Sequence, residues 1–534
     1  MAEPGSGAVK LTWDAVTGAT GYKIIRATAS NATNDDGYIE IATGVTNLSY
    51  DATGLEPGQR YYFKVIATAG AAVSPSSNQV TAIANVDDNG DAFVGNKLLV
   101  SNELTDPTAA VQSTGSLSIN ENSANLNVMG SGELDPEAYR INPVIPFEPV
   151  AGQEPVNYNM DGEMQVQATY VYGNTRSFIV DKKSESNPST INGRCAYNGT
   201  NVQVWVDTAG DAKVKLTDGQ AELIGKEFDS KIYSLVTNNF GAAPNVDGDG
   251  KIAILCFDIA DTYNGLGTGY TAGFFYGGDL YKNDQLQKKN SNEMEIFYAD
   301  TYPTMIKDPQ NPVYNDPDVT KVYSTLAHEF QHMVNFNQNY LVEGEQKEMD
   351  TWLNEALSLA AEQMYNGTQT NRITYYNSST AIQNGHSLLS WQNGSEVLAN
   401  YSLSYLFSQY LRTQVDQKLA TGESVEGGDA KIFNEIITND QEDFSAVEAV
   451  ITKWIDHDLT FGQFMTNFRA AMLLKADSGP YGFNNEEGFD TIITPLYTGG
   501  TIDLKGGGAV VKSITNEVKP TGKGANITYL GIYN

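Results

Sequence analysis

The hydrophobic period of this chain changes near residue 218, and that change limits its fold more than any other feature. From residue 8 to about residue 215, apolar and polar side chains alternate in short runs such as Val9-Lys10-Leu11-Thr12-Trp13, Tyr61 to Ile66 and Val202 to Val206, with Gly, Pro and Asn between them. A period of two turns one face of each strand toward a core. After about residue 218 helical spacing takes over, beginning with Ala221 to Val236. One core cannot serve both patterns, and 534 residues at roughly 150 per domain predict three or four units. The expected class is multidomain: N-terminal β-sandwiches, an α+β domain with a largely helical C-terminal half, and a small C-terminal β-module.

The expected boundaries are a sandwich over 1–85, a β-rich domain over 92–215, a mixed domain over 216–490 and a β-module over 495–534. Asp87-Asp88-Asn89-Gly90-Asp91 marks the first break. Strands are expected at Gln165 to Tyr172, Ile252 to Asp258 and Glu293 to Tyr298. Asp316-Pro317 reads as an N-cap followed by proline, opening a helix through about Phe336. A second helix runs from Asp350 to about Tyr365. Capping-box spacings at Ser445 with Glu448 and at Thr460 with Gln463 open two more.

Charge narrows the partners. Against 33 Lys and Arg stand 65 Asp and Glu, a net charge of −32, which repels a phosphate backbone and anionic lipid alike. No nucleic-acid partner is expected. No run approaches the roughly 18 apolar residues of a membrane span, so no membrane insertion is expected. The opening Met1-Ala2-Glu3-Pro4-Gly5-Ser6-Gly7 lacks the basic and apolar regions of a signal peptide, and export or anchoring residues are expected to have been removed ahead of it. Cys195 and Cys256 admit a bridge, two buried thiols or, for Cys195, shielding of a metal.

The chemistry concentrates at His328-Glu329-Phe330-Gln331-His332. On a helix the i, i+4 imidazoles stand on one face and can reach one cation, with Glu329 beside the open coordination position. A catalytic zinc site needs a third protein ligand. Glu355, with 22 residues between it and His332, lies on the helix that opens at Asp350, where Trp352, Leu353, Ala356, Leu359 and Ala360 form a stripe for packing. It is either that ligand or a surface carboxylate. Glu362, two turns on, is expected to face solvent. Asn245-Val246-Asp247-Gly248-Asp249-Gly250 has the alternating oxygen ligands of a calcium loop, with Asn245, Asp247 and Asp249 as candidates. An EF-hand would need glutamate where Cys256 stands, so Asp258 or Asp261 could substitute, or the segment is a plain Asp-Gly turn.

Two resemblances follow from these residues. Trp13, Tyr22 and Leu55-Glu56-Pro57-Gly58 leading into Tyr61 resemble a fibronectin type III domain. The His-Glu-x-x-His helix followed by Asn354-Glu355-Ala356-Leu357-Ser358 resembles the gluzincin metallopeptidases. More closely, residues 216–475 are similar to the hyicolysin family of bacterial secreted neutral metallopeptidases, through Val246 to Ile252, Ser291 to Asp300, His328 to Phe336, Trp352 to Ser358 and Tyr401 to Phe407. That resemblance implies a zincin-like domain in which His328, His332 and Glu355 bind zinc and Glu329 is the general base. It also implies protein or peptide substrates and a secreted or cell-surface location. Tyr401 is the candidate second oxyanion donor, ahead of His386 and His457, and Gly273 to Tyr276 the candidate strand for aligning substrate. Thermolysin-like relatives place an acidic residue four after the third ligand; here that position is Leu359, so another group must orient the histidine. The rival expectations are a surface adhesion or glycan-binding protein with an inactive peptidase-like domain, and a zinc peptidase restricted to glycoproteins, whose β-modules contact glycan or the cell surface.

Overall fold

The computed structural model describes residues 2–5, 8–28, 34–55, 60–83, 96–117, 140–143, 145, 170–180, 188–210, 212–261, 263, 269–309, 311–343, 348–392, 394, 396–419, 431–514, 518 and 520–532. It divides into two units, one of residues 1–131, 373–429 and 451–534, the other of 132–372 and 430–450. The expected break at 87–91, residues 56–58 and the expected strand residues 165–169 lie outside the described residues.

In the first unit, alternation over residues 2–83 becomes eight strands: β1 (Ala2–Gly5), β2 (Ala8–Thr12), β3 (Gly21–Ala27), β4 (Ile39–Val45), β5 (Ser49–Thr53), β6 (Arg60–Ala69), β7 (Ala72–Val73) and β8 (Val80–Ile83). One sheet runs β1-β2-β5; the other runs β4-β3-β6-β7, with β8 also on β6. Val9, Leu11, Tyr22, Ile24, Tyr61 and Phe63 share one core, each full burial stabilising by about 1.5–3 kcal/mol. Trp13 meets Tyr22 edge-on, ring centroids 5.3 Å apart. The same unit contributes β9 (Lys97–Asn102), β10 (Gln112–Ser113) and β11 (Ser116–Leu117).

The second unit begins with β12 (Arg140–Ile141), β13 (Thr175–Val180), β14 (Ser189–Asn198) and β15 (Val202–Asp207). Helices α1 (Asp218–Glu227) and α2 (Tyr233–Asn239) carry the chain to β16 (Ile252–Phe257); Thr217 and Gln220 form the capping box that starts α1. After β16 come β17 (Tyr270–Thr271), β18 (Gly273–Phe275) and β19 (Ile296–Asp300). One sheet runs β13-β14-β15-β16-β19-β18, with β15, β16 and β19 parallel and β18 antiparallel to β19. All residues of β16 and β19 are buried, as strands covered on both faces must be. The expected boundary at 215 is therefore corrected. Alternation identifies a strand without naming its partner, and β13 to β15 complete the sheet that β16 and β19 continue. Cys195 and Cys256 are buried free thiols.

Helix α3 (Tyr323–Phe336) packs on β18 and β19, and α4 (Thr351–Asn366) packs on α3. A Cβ on Gly273 would sit 2.6 Å from Thr325 Cγ2 and 3.2 Å from Glu329 Cγ, so glycine lets β18 close on α3 at Glu329. On the opposite side Phe330 stacks on Tyr233, centroids 5.5 Å apart. The expected cap at Asp316 is also corrected. Asp318 accepts from Thr320 N–H and opens a 3-10 turn, Val319–Val322, ahead of α3, while Asp316 pairs with Lys307.

Helices α5 (Thr370–Ser378), α6 (Thr380–Gln383), α7 (Val397–Leu419), α8 (Lys431–Ile437), α9 (Phe444–Trp454) and α10 (Phe461–Leu474) follow. Thr460 and Gln463 cap α10 as expected. Ser445 does not cap α9: Asp443 takes the Ser445 N–H, and the helix starts earlier. The tail supplies β20 (Asp503–Leu504), β21 (Ala509–Ser513), β22 (Pro520–Thr521) and β23 (Ile527–Ile532). This terminal β-module is built around β9, in the order β21-β9-β23, so its extent is wider than 495–534. Its central strand comes from residues 97–102, and Leu98, Val100, Val510 and Ile527 fill one side.

Candidate metal centre

Helical pitch does the first part of the assembly. His328 and His332, one turn apart on α3, are both buried, with ring centroids 4.7 Å apart and planes at 80°. Glu355 on α4 is buried opposite them, and its Oε2 lies 3.1 Å from His328 Nε2 and 3.8 Å from His332 Nε2. One ligand atom from each of the three falls within 4.8 Å of the others.

The other ring nitrogens fix the tautomers. His328 Nδ1 lies 2.7 Å from Glu362 Oε1, and His332 Nδ1 lies 2.9 Å from Asn354 Oδ1 and 3.0 Å from Ser358 Oγ. With acceptors at Nδ1, each ring carries its proton there and turns the Nε2 lone pair to the centre. Among the described residues neither Nε2 has a hydrogen-bond partner. A buried nitrogen lone pair without a donor is costly in a protein interior, and a cation removes that cost. Asn335 Nδ2 holds Asn354 Oδ1 at 2.8 Å, and Ser358 Oγ donates to Gln331.

Charge is arranged to match. Burial would raise the Glu362 carboxyl, but Arg140 and His328 hold it down to about 2. Arg140 also donates to Thr325 Oγ1 at 3.2 Å. Burial pulls the His328 imidazole down, yet Glu355 and Glu362 outweigh it and carry it up to about 9. Burial and His328 hold His332 well below the ordinary imidazole range. Glu355 and Glu362 thus bias this centre toward positive charge. Glu329 is fully buried; its Oε1 accepts from Asn142 Nδ2 at 2.8 Å, and its Oε2 has no hydrogen-bond partner among the described residues. Burial raises Glu329 to about 8, so its carboxyl can exchange a proton near neutral pH.

Beside His332 opens a cleft lined by Ile145, Phe275, Phe336, Tyr340, Glu348 and Met349.

The structure thus brings together His328, His332 and Glu355, with Glu329 next to them. Glu362 is not on the solvent side: it is 1% exposed and buttresses His328. Asn354, Ser358, Asn142 and Arg140 were missed. The i, i+4 spacing of Asn354 and Ser358 on the ligand helix was the available signal for two of them. Tyr401 belongs to the first unit, buried on α7 with its ring 5.1 Å from Trp391. His386 meets Asn400, and His457 is exposed beside Asp458. Asp247 and Asp249 come together with Glu295, while Asn245 Oδ1 accepts from Gly250 N–H at 3.0 Å. Asp258 turns to Ala260 N–H and Lys213, and Asp261 to Tyr263 and Thr271 N–H.

No family model matches the chain. Neutral metalloprotease ShpI of Staphylococcus hyicus is 42% identical to it over 360 residues, covering 67% of this chain and 76% of that protein. Among solved structures, an Fn3-like protein from Clostridium thermocellum matches at 28% identity over 15% of this chain and 84% of its own, TM-score 0.14. The fibronectin type III domain from human KIAA0970 protein matches at 19% identity over 16% of this chain and 72% of its own, TM-score 0.14.

Proposed function

The chain belongs to the family of this neutral metalloprotease, and from that premise we propose that it is an exported zinc endopeptidase of the gluzincin type. It is a metal-dependent protease, and protein or peptide is its substrate. The zinc assignment rests on one observation: two buried imidazole Nε2 atoms, each with Nδ1 already held by an acceptor, converge on the Glu355 carboxylate. Two nitrogens and one carboxylate are the donor set of a catalytic zinc with an open position. His328, His332 and Glu355 would hold the metal, and Glu362, Asn354 and Ser358 would keep the rings aimed.

When bound, zinc would act as a Lewis acid and lower the pKa of water toward neutrality. Glu329 takes the proton from the attacking water and delivers it to the departing amine nitrogen. Asn142 Nδ2 on Oε1 leaves Oε2 as the oxygen for that transfer. The substrate chain is assigned to β18, the end strand of its sheet among the described residues. An apolar substrate side chain would enter the cleft beside His332.

The test is a metal assay joined to a peptide-library digest of the purified full chain. Stoichiometric zinc, cleavage lost to a zinc chelator and cleavage restored by zinc are expected. Full zinc occupancy with no peptide or protein cleaved would overturn the assignment.

A further inference from the structure

We propose that Asp247, Asp249 and Glu295 form a second cation site, for calcium, which ties the loop ahead of β16 to the start of β19. One carboxylate oxygen from each of the three lies within 4.8 Å of the others. The decisive member is Glu295, absent from the sequence-based calcium loop because it stands 46 positions beyond Asp249. Glu295 is 1% exposed; Val246 N–H donates to its Oε1, and its Oε2 has no hydrogen-bond partner among the described residues. A carboxylate oxygen buried that deeply beside two further carboxylates needs a proton or a metal.

The Lys251 ammonium bonds elsewhere. Lys251, in the same loop, sends its Nζ to Asn198 Oδ1 at 2.8 Å and to the Gly199 carbonyl.

The donors are all oxygen, which selects a hard cation over zinc. The loop turns at Gly248 and Gly250, with φ of 79° and 71°, an irregular frame that suits calcium's flexible coordination better than magnesium's near-ideal octahedron. Asp247 and Asp249 lie just ahead of β16, and Glu295 directly precedes β19, whose first pairing with β16 is Ile296 to Ala253. The Ala253 N–H donates to the Glu295 carbonyl at 2.7 Å. A cation there would clamp the beginnings of two central parallel strands.

A terbium titration reads the site directly. Trp205 Nε1 donates to Gln203 Oε1, and Gln203 Nε2 donates to Asp249 Oδ2, so the indole stands one side chain from the site and can sensitise Tb³⁺. In the full, zinc-loaded chain, Tb³⁺ luminescence excited through tryptophan should saturate and be displaced by Ca²⁺ but not by equal Mg²⁺. Ca²⁺ at about a hundredfold excess over Kd should raise Tm by roughly 5 °C. Glu295→Gln should weaken Tb³⁺ binding at least about tenfold, and Asp249→Asn, at a half-buried position, gives the same reading if Glu295→Gln does not fold. His328→Ala should leave the signal in place. No saturable luminescence with a Tm indifferent to Ca²⁺ would overturn the proposal. So would a signal that survives Glu295→Gln and disappears in His328→Ala, which would locate the ion at the catalytic centre.

Discussion

Glu362 decides which nitrogen of His328 is free. Its Oε1 meets His328 Nδ1 at 2.7 Å, and Arg140 on Oε2 keeps it ionised. Glu362→Gln keeps the volume but leaves one acceptor where two donors must be met. Zinc affinity is expected to fall by about 10–100-fold, the usual loss when such a supporting partner is changed, as read by competition with a chromophoric chelator. Unchanged affinity would show that His332 and Glu355 suffice to aim the metal. The pairing of His328 with His332 was legible because its geometry is one helical turn and needs no knowledge of tertiary structure. Glu362 was not: its polar neighbours suggested a solvated face, and Arg140, its ion partner, lies 222 positions away.

Between elements, the turn after α6 shows how a histidine can be structural. His386 Nε2 meets Asn400 on α7, and its carbonyl accepts from Arg469 of α10 at 2.9 Å. Burial holds its imidazole below the usual 6.5, so the folded chain keeps it neutral. A depressed folded value contributes stability that is fully present above pH 6.5 and is lost as pH falls through the folded value, because the unfolded chain then binds more protons. Tm is expected to fall as pH drops below about 6.5, and His386→Gln should flatten that slope. Equal slopes in the two proteins would contradict the assignment. Helix starts were legible where the whole cap is local, as at Thr460 with Gln463. The same spacing at Ser445 misled because Asp443, two residues earlier, reaches the N–H first.

For the whole molecule, strand character was legible and strand partnership was not. Residues 97–102 and 175–207 alternate like their neighbours, yet the first is the centre of the terminal β-module and the second completes the sheet beside the metal centre. Pairings across hundreds of residues leave no local mark. The strands at 2–83, in contrast, close their own core, so a chain beginning near residue 86 is expected to keep kcat/KM on short peptides. A loss of more than about tenfold, roughly 1.4 kcal/mol, would show that the sandwich helps build the site. On the proposed mechanism, metal binding and proton transfer are separate tasks of adjacent residues on α3. Glu329→Gln, nearly isosteric and off the metal, tests it most directly in a full-chain protein with zinc content measured alongside peptide kinetics. Full zinc, a KM little changed and a kcat lower by at least about 10²-fold are expected; a zinc-loaded Glu329→Gln that cleaves peptides at near wild-type rate would show that Glu329 is not the proton acceptor.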